Sequence, residues 1–492
     1  MTRPRSPDHA AAARVAVAVL PPLVTALCLG WLISTGAWSA WGIERMEPKA
    51  GGLTSFADLS NITATADCLR GGTDVTACDP YGRPFQPYVV APARLLSRLG
   101  LGLGDTRALG VLLAALYVTA IALLAGVLVW RWAGGSTTLA AAALALSVAA
   151  VSPPAMLMVE RGQVEAIGLL LTVIALLALS ARSRLWGAVG AIAAMLAVGT
   201  KYFPVGLFLP FLGSGRRRPL AVTAFVASTL WLLTSLPEVR QAMSASRSNE
   251  PVTTRSSFGS PVLLSTWFSS EPLPYRLDAP LLERWNVYRA CGIGLLVLIA
   301  ALSVLPAARD PSIDSAPALG ANLVLGGSGV LLAPFLVGAS HDYRLVFLLP
   351  VLVGALLWWG PYPGWRGFRP AVMAIAALLA LVTGAPMMTT SWGFHWPKGV
   401  LLLGDMSITV VLGASLAAWI EACLWPHRSE LIAVPEYPSD PVGQGRQRRA
   451  EPEDVEVVER ESNHRAAKAA PAERQSSAVP SGTGQGPCSR RA

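Results

Sequence analysis

Charge is what this sequence has least of. Asp, Glu, Lys and Arg make up 14% of its 492 residues, against about 25% in an ordinary soluble domain. A soluble chain of this length would divide into roughly three domains, each with a charged surface, and there are too few charges to cover them. Other absences narrow the choice further. No basic face interleaved with aromatics is present, so the net charge of +9 does not read as a nucleic-acid signal. No internal repeat is strong enough to identify, which leaves an inverted-repeat transporter unsupported. Gly100, Gly102 and Gly104 imitate a phosphate-binding loop, but no predicted strand precedes them, so a dinucleotide site is rejected. No loop carries an acidic pair close enough to demand a divalent ion. No cofactor is implied, and the need for a metal stays open.

What the chain has instead is apolar length. Hydrophobic residues make up 53% of it, and the mean hydropathy is +0.49. A membrane-spanning helix needs about 20 apolar residues. The candidate runs are Val15–Ala37, Ala108–Trp130, Thr138–Met158, Val164–Ser180, Leu185–Thr200, Tyr202–Leu212, Leu220–Leu236, Val287–Leu305, Ala318–Val337, Leu345–Trp359, Ala371–Met388 and Val400–Leu424. The fold expected is an all-α polytopic membrane protein with about twelve membrane helices, between eleven and thirteen. The spread comes from residues 185–212, either one long helix broken at Pro204 or two short ones.

Positive charge favours two. Arg182 and Arg184 precede this stretch, and Arg216, Arg217 and Arg218 follow it. If both clusters are cytoplasmic, the chain goes out and back between them, with Lys201 at the outer turn. Arg3, Arg5 and Arg14 place the N-terminus, residues 1–14, inside; Arg131, Arg309, Arg366 and Arg369 fall on the same side, as does the tail. The predicted transmembrane domain is residues 15–425, in the cell membrane, with both termini cytoplasmic. Two long loops, 38–107 and 237–284, then lie outside. They carry seven acids with seven bases and five with five, without the cytoplasmic excess of arginine. Trp38 and its neighbours make a poor cleavage site, so residues 1–40 read as a span rather than a signal peptide. Residues 426–492 turn abruptly to Pro, Gly, Ser, Glu and Arg and are expected to be a disordered cytoplasmic tail. The sixteen tryptophans suit interfacial belts.

Of the six cysteines, Cys68 and Cys78 share the first outer loop. An extracytoplasmic compartment permits a disulfide there, which would pin the loop by about 2–3 kcal/mol on the chain-entropy account.

Charge beside an apolar membrane needs a reason, and four clusters on the outer side call for one. The first lies in the loop: Phe56-Ala57-Asp58-Leu59, then Asp67 to Asp74, then Cys78 through Arg83 to Tyr88. Residues 55–69 are expected to form a short helix at the membrane surface, ended by Gly71-Gly72. The second is Glu160-Arg161-Gly162-Gln163, confined to a short turn. In the third, Lys201 sits between apolar runs and needs an anion or a carboxylate. The fourth is His341-Asp342-Tyr343-Arg344; one His and one Asp do not make a metal site alone, but the turn suits an anion. For each the plain alternative is structural: solvated loop charges, an arginine reaching headgroups, a paired lysine, a helix cap.

Arg161, Lys201, Arg344 and Arg83 together suit an anionic lipid phosphate at the outer headgroup plane. They would stabilise charge developing on a leaving phosphate, while a loop carboxylate takes a proton from an attacking hydroxyl. That is glycosyl transfer with inversion; retention would need a second carboxylate as nucleophile.

Three stretches carry a likeness. Asp58-Leu59 through Leu69-Arg70-Gly71-Gly72-Thr73-Asp74, Arg161-Gly162-Gln163-Val164-Glu165, and Leu185-Trp186-Gly187-Ala188 through Gly199-Thr200-Lys201-Tyr202-Phe203-Pro204 resemble patterns of the GT-C membrane glycosyltransferases. Within these the similarity is to the bacterial polyprenol-phosphate-mannose-dependent mannosyltransferases, glycosyltransferase family 87. His341-Asp342-Tyr343-Arg344-Leu345 looks like a late turn of related membrane proteins. The resemblance spans roughly residues 15–424. It implies a GT-C-like fold and a polyprenyl-phosphate sugar donor, with mannose as the sugar. It further implies a glycolipid or glycan acceptor of the cell envelope, membrane lipid around the site, an inverting mechanism and a first-loop Asp as base. Carried over, Asp58 is the base and Arg161 and Lys201 contact the donor phosphate, with Arg344 beside them. Asp67, Arg83, Tyr88, Gln163, Glu165, His341, Asp342 and Tyr343 are weaker substrate-binding candidates. Two departures leave acceptor and donor sugar open: Gln86-Pro87-Tyr88 stands where the family often has Tyr-Pro-Pro, and Glu165 where it has Asn. A transporter or flippase of lipid-linked sugars, and a noncatalytic membrane subunit, are the alternatives. Nearly clean span centres argue against the transporter.

Overall fold

A computed structural model of the chain describes residues 7–41, 43, 55–73, 90–132, 136–181, 183–201, 203–212, 217–234, 257–268, 279–309, 318–337, 340–359, 368–384 and 398–424. The chain divides into two units, 1–434 and 435–492, and every described residue belongs to the first. The segment 426–492 lies outside the described residues.

The described chain is helical. In order come α1 (Pro7–Thr35), α2 (Ala57–Arg70), α3 (Val90–Arg98), α4 (Thr106–Arg131), α5 (Ser136–Ala150), α6 (Pro153–Arg161), α7 (Glu165–Ser180) and α8 (Arg184–Thr200). They are followed by α9 (Leu209–Leu212), α10 (Arg218–Thr234), α11 (Ser260–Phe268), α12 (Ala279–Arg309), α13 (Ala318–Val337), α14 (Leu348–Trp359), α15 (Phe368–Thr383) and α16 (Lys398–Leu424). The one strand pairing among described residues is a two-residue antiparallel ladder, β1 (Ser257–Phe258) on β2 (Ser340–His341). It ties the second long loop to the turn that carries Arg344, and it pairs backbone groups that no helix there can serve.

All twelve apolar runs have a helical counterpart, but not of one kind. Five helical segments, 14–35, 103–131, 286–304, 319–336 and 402–421, are long and apolar enough to cross a membrane. A sixth candidate is the pair α5–α6, bent by 42°. The bend follows from Ser152-Pro153-Pro154: proline at the first positions of α6 cannot continue the hydrogen bonding of α5. The other six are shorter. α7, with 16 residues, rises about 24 Å, below the ~30 Å of a bilayer core. Large apolar side chains nevertheless face outward from long and short helices alike, among them Leu27 and Trp31 of α1, Leu185 and Ile192 of α8, and Leu298 and Leu302 of α12. Water would not tolerate so much exposed hydrocarbon; lipid does.

The stretch 185–212 breaks at Lys201, three residues before the expected Pro204. α8 ends at Thr200, Lys201 is extended (φ −159°, ψ 150°), and Phe203–Phe208 continues as a 3-10 turn. That turn packs backbone to backbone on α13, where Gly206 and Gly329 meet so closely that a Cβ on either would collide with the other's carbonyl. The two ends of the stretch come together: Arg217 donates from Nη2 to the carbonyls of Ala181, at 2.6 Å, and of Ser183. The chain between them leaves and returns.

α2 forms within the stretch 55–69 where a short helix is expected. Leu59, Ser60 and Ile62 to Ala66 are all buried, so its middle is enclosed by α3, α4 and α6. Its polar residues stay satisfied inside: Thr65 Oγ1 donates to the carbonyl of Asn61 at 2.7 Å, and the Thr63 and Thr106 hydroxyls share a hydrogen bond of 2.7 Å. Gly71 closes the helix as expected.

Candidate functional site

The site is assembled around one turn. α6 ends in Gly162, which is left-handed (φ 65°, ψ 44°). The Gly162 N–H reaches the Val159 carbonyl at 2.9 Å, and the Gln163 N–H reaches that of Met158 at 3.0 Å, the paired bonds of a Schellman cap. Glycine is needed twice here. Its φ disfavours any Cβ, and a Cβ would stand 2.7 Å from that of Leu59 and 3.1 Å from that of Phe56. α2 therefore seats directly on the turn.

Phe56 holds the start of α2 in place. It too is left-handed (φ 65°, ψ 39°), a conformation that costs an L-residue about 1–2 kcal/mol. Two contacts keep it there. Its N–H donates to the Glu160 carbonyl at 2.5 Å. Its ring is fully buried over Gly110 of α4, in space a side chain at 110 would need. Asp58 follows two residues later in the first turn of α2, where the helix dipole favours a carboxylate.

Asp58 meets the turn through Gln163, whose Nε2 donates to Asp58 Oδ2. Gln163 Oε1 in turn accepts from Lys201 Nζ at 3.5 Å. Lys201 donates to Glu165 Oε1 at 2.5 Å, and Arg344 Nε stands 3.5 Å from the same oxygen. Glu160 Oε2 pairs with Arg161 Nε at 3.1 Å. Asp58 lies within electrostatic reach of both Glu160 and Lys201. Lys201 and Arg344 also share the ring of Tyr343, at 5.5 and 5.8 Å from its centroid, and Arg344 lies 5.1 Å over Phe203.

Burial separates the acids. Glu160 and Glu165 are each 1% exposed, Lys201 8% and Arg161 9%. Asp58 is only half-buried. The cluster thus has three acids, Asp58, Glu160 and Glu165, against three cations, Arg161, Lys201 and Arg344. Buried charges of this kind are tolerated only when paired, and the pairing here is close to complete.

The structure thus brings together Asp58, Arg161, Gln163, Glu165, Lys201, Tyr343 and Arg344. The anion expected beside Lys201 is, in the folded chain, the carboxylate of Glu165. Asp67 lies elsewhere, nine residues along α2 and so about 14 Å up the helix axis from Asp58. There it forms a structural clasp, accepting from the Leu103 N–H at 2.7 Å and pairing with Arg70 at 3.3 Å. His341 and Asp342 contribute backbone to β2 and to the 3-10 turn 342–347; their side chains lie outside the described residues. Arg83, Tyr88 and Cys78 lie outside them too. Cys68 is disulfide-bonded. Among the described residues no group of three or more His, Cys, Asp and Glu is placed to hold a metal ion.

Glu160 was visible in sequence only as part of a charged turn; its carbonyl and carboxylate turn out to organise the site. Phe56 and Gly162 gave no chemical signal at all. An acid between apolar Val159 and Arg161 was the one hint. No family model, curated protein or solved structure matches this chain.

Proposed function

We propose that the protein is an integral-membrane glycosyltransferase that moves a sugar, mannose by resemblance, from a polyprenyl-phosphate donor to a glycolipid or glycan of the cell envelope. In this reading the six shorter helices complete a twelve-span, GT-C-like domain with both termini cytoplasmic, and the Asp58 cluster faces outward. The acceptor hydroxyl attacks the anomeric carbon from the face opposite the phosphate. The bond from that carbon to the phosphate oxygen breaks, and the phosphate leaves with the electron pair. The hydroxyl proton passes to Asp58. Arg161, Lys201 and Arg344 would stabilise the charge gathering on the phosphate.

The observation that carries this reading is the contrast among the acids. Glu160 and Glu165 are enclosed and each faces a cation, whereas Asp58 is only half-buried and accepts a hydrogen bond from the Gln163 amide. A positioned, accessible carboxylate beside a cation pair is what a general base next to a leaving phosphate requires. The test is Asp58→Asn in purified, membrane-reconstituted protein supplied with radiolabelled polyprenyl-phosphate mannose and a membrane glycolipid extract. Loss of transfer, with melting temperature retained, is the expected result. Full transfer would exclude Asp58 as base.

A second reading has one observation in its favour. The cluster is charge-balanced within itself, as a purely structural staple would be, and a noncatalytic subunit fits that. Asp58→Asn would then be silent, and wild-type protein would show no transfer.

A further inference from the structure

From the way Lys201 and Arg344 are paired, we infer that Glu165 is a built-in competitor for the donor phosphate, which weakens the hold of the site on phosphate and eases release of the polyprenyl-phosphate product. The inference rests on the glycosyltransferase reading and deepens it. Lys201 and Arg344 reach one and the same oxygen, Glu165 Oε1, at 2.5 and 3.5 Å. The other oxygen, Oε2, is buried and accepts no hydrogen bond among the described residues. The carboxylate is therefore held from one side only, by the two cations that a phosphate oxygen would engage.

The charge count gives the consequence. Lys201 and Arg344 carry two positive charges, and Glu165 removes one. A sugar phosphodiester brings one negative charge, and transfer turns it into a phosphate monoester that carries up to two. One more net positive charge in a poorly hydrated site would grip that product harder. With Glu165 beside them, the phosphate exchanges with an anion already in place, and the carboxylate takes the cations back as the product leaves. Binding energy that would have trapped product is lowered for ground state and product alike.

The experiment measures binding to the full chain in detergent, with polyprenyl phosphate and inorganic phosphate as separate probes. Glu165→Gln keeps the shape and one acceptor oxygen while removing the charge. It should bind polyprenyl phosphate at least about tenfold more tightly than wild type. A gain for polyprenyl phosphate alone assigns the site to a lipid headgroup. An equal gain for inorganic phosphate assigns it to the phosphate group itself. Either supports the inference. Unchanged or weaker binding in folded Glu165→Gln, with wild type binding polyprenyl phosphate, overturns the inference and leaves the transferase reading standing. If neither protein binds either probe, both fall. Should Glu165→Gln fail to fold, Glu165→Asn removes the same charge with a smaller amide, and the same outcomes apply.

Discussion

Among the described residues, two places bury arginine against glutamate, and they are built differently. Arg369, at the start of α15, donates from Nη1 to both carboxylate oxygens of Glu421, at 3.2 and 2.9 Å. Its Nη2 reaches the carbonyl of Ala414 at 2.9 Å, and its guanidinium lies 6.0 Å from the Trp358 ring centroid. One cation and one anion close on each other between two helices that pack together. The cluster around Gln163 instead strings six charges across α2, α6, α7, the end of α8 and the 342–347 turn. A neutral amide stands in the middle and a half-exposed acid at the edge. The extended cluster costs more to bury and keeps a half-buried carboxylate at its edge.

Substitutions can break this contrast, in decreasing order of expected effect. Asp58→Asn should lower transfer by about 10²–10⁴-fold, the range for loss of a general base, whereas Arg369→Gln should leave transfer per folded molecule unchanged. Lys201→Ala should weaken polyprenyl-phosphate binding by roughly ten- to a hundredfold through loss of a charged contact. That is opposite in sign to Glu165→Gln, and equal affinities across wild type and both variants would remove the cluster from the donor site. For Arg369→Gln or Glu421→Gln the expected cost is about 1–3 kcal/mol in stability, read by denaturation, because each leaves a partly buried charge without its partner. Gly162→Ala should cost about 2 kcal/mol from its left-handed backbone and the contact with Leu59. It should also lower transfer by displacing α2 and with it Asp58; unchanged stability and transfer would mean that α2 does not need this turn. The smallest change is Thr63→Ala, about 1 kcal/mol for the buried hydroxyl pair with Thr106. That burial also bears on Asn61-Ile62-Thr63, which fits the glycosylation sequon. Thr63 is enclosed in the middle of a helix, so the folded chain does not present the whole sequon to a modifying enzyme.

Much of the fold could be read from local pattern. The apolar runs and the helix ending at Gly71 depend on residues within a few turns of each other and became helices or helix ends in those places, whereas the single run Thr138–Met158 is bent at Pro153-Pro154. Lengths were less legible. Leu345–Trp359 reads as a span, but its first residues form a 3-10 turn that faces the site, because the ladder at His341 and the packing of Phe347 against Phe203, with centroids 5.6 Å apart, set its start. In the site, Asp58, Arg161 and Lys201 stood out as charges in apolar surroundings. Phe56 and Gly162 did not, since an apolar ring and a glycine carry no such signal until the backbone has been placed.

The membrane character of the chain, its apolar segments and the rarity of charge among them follow from composition and order alone, because transfer of side chains out of water depends on the side chains themselves. Which charge meets which was left to the tertiary structure. Gln163 holds an acid 105 positions earlier, and Glu165 rather than an outside anion answers Lys201. Such pairings arise only when α2 is seated on the Gly162 turn and the chain doubles back past α13, since hydrogen bonds and ion pairs act over a few ångströms that sequence distance does not encode.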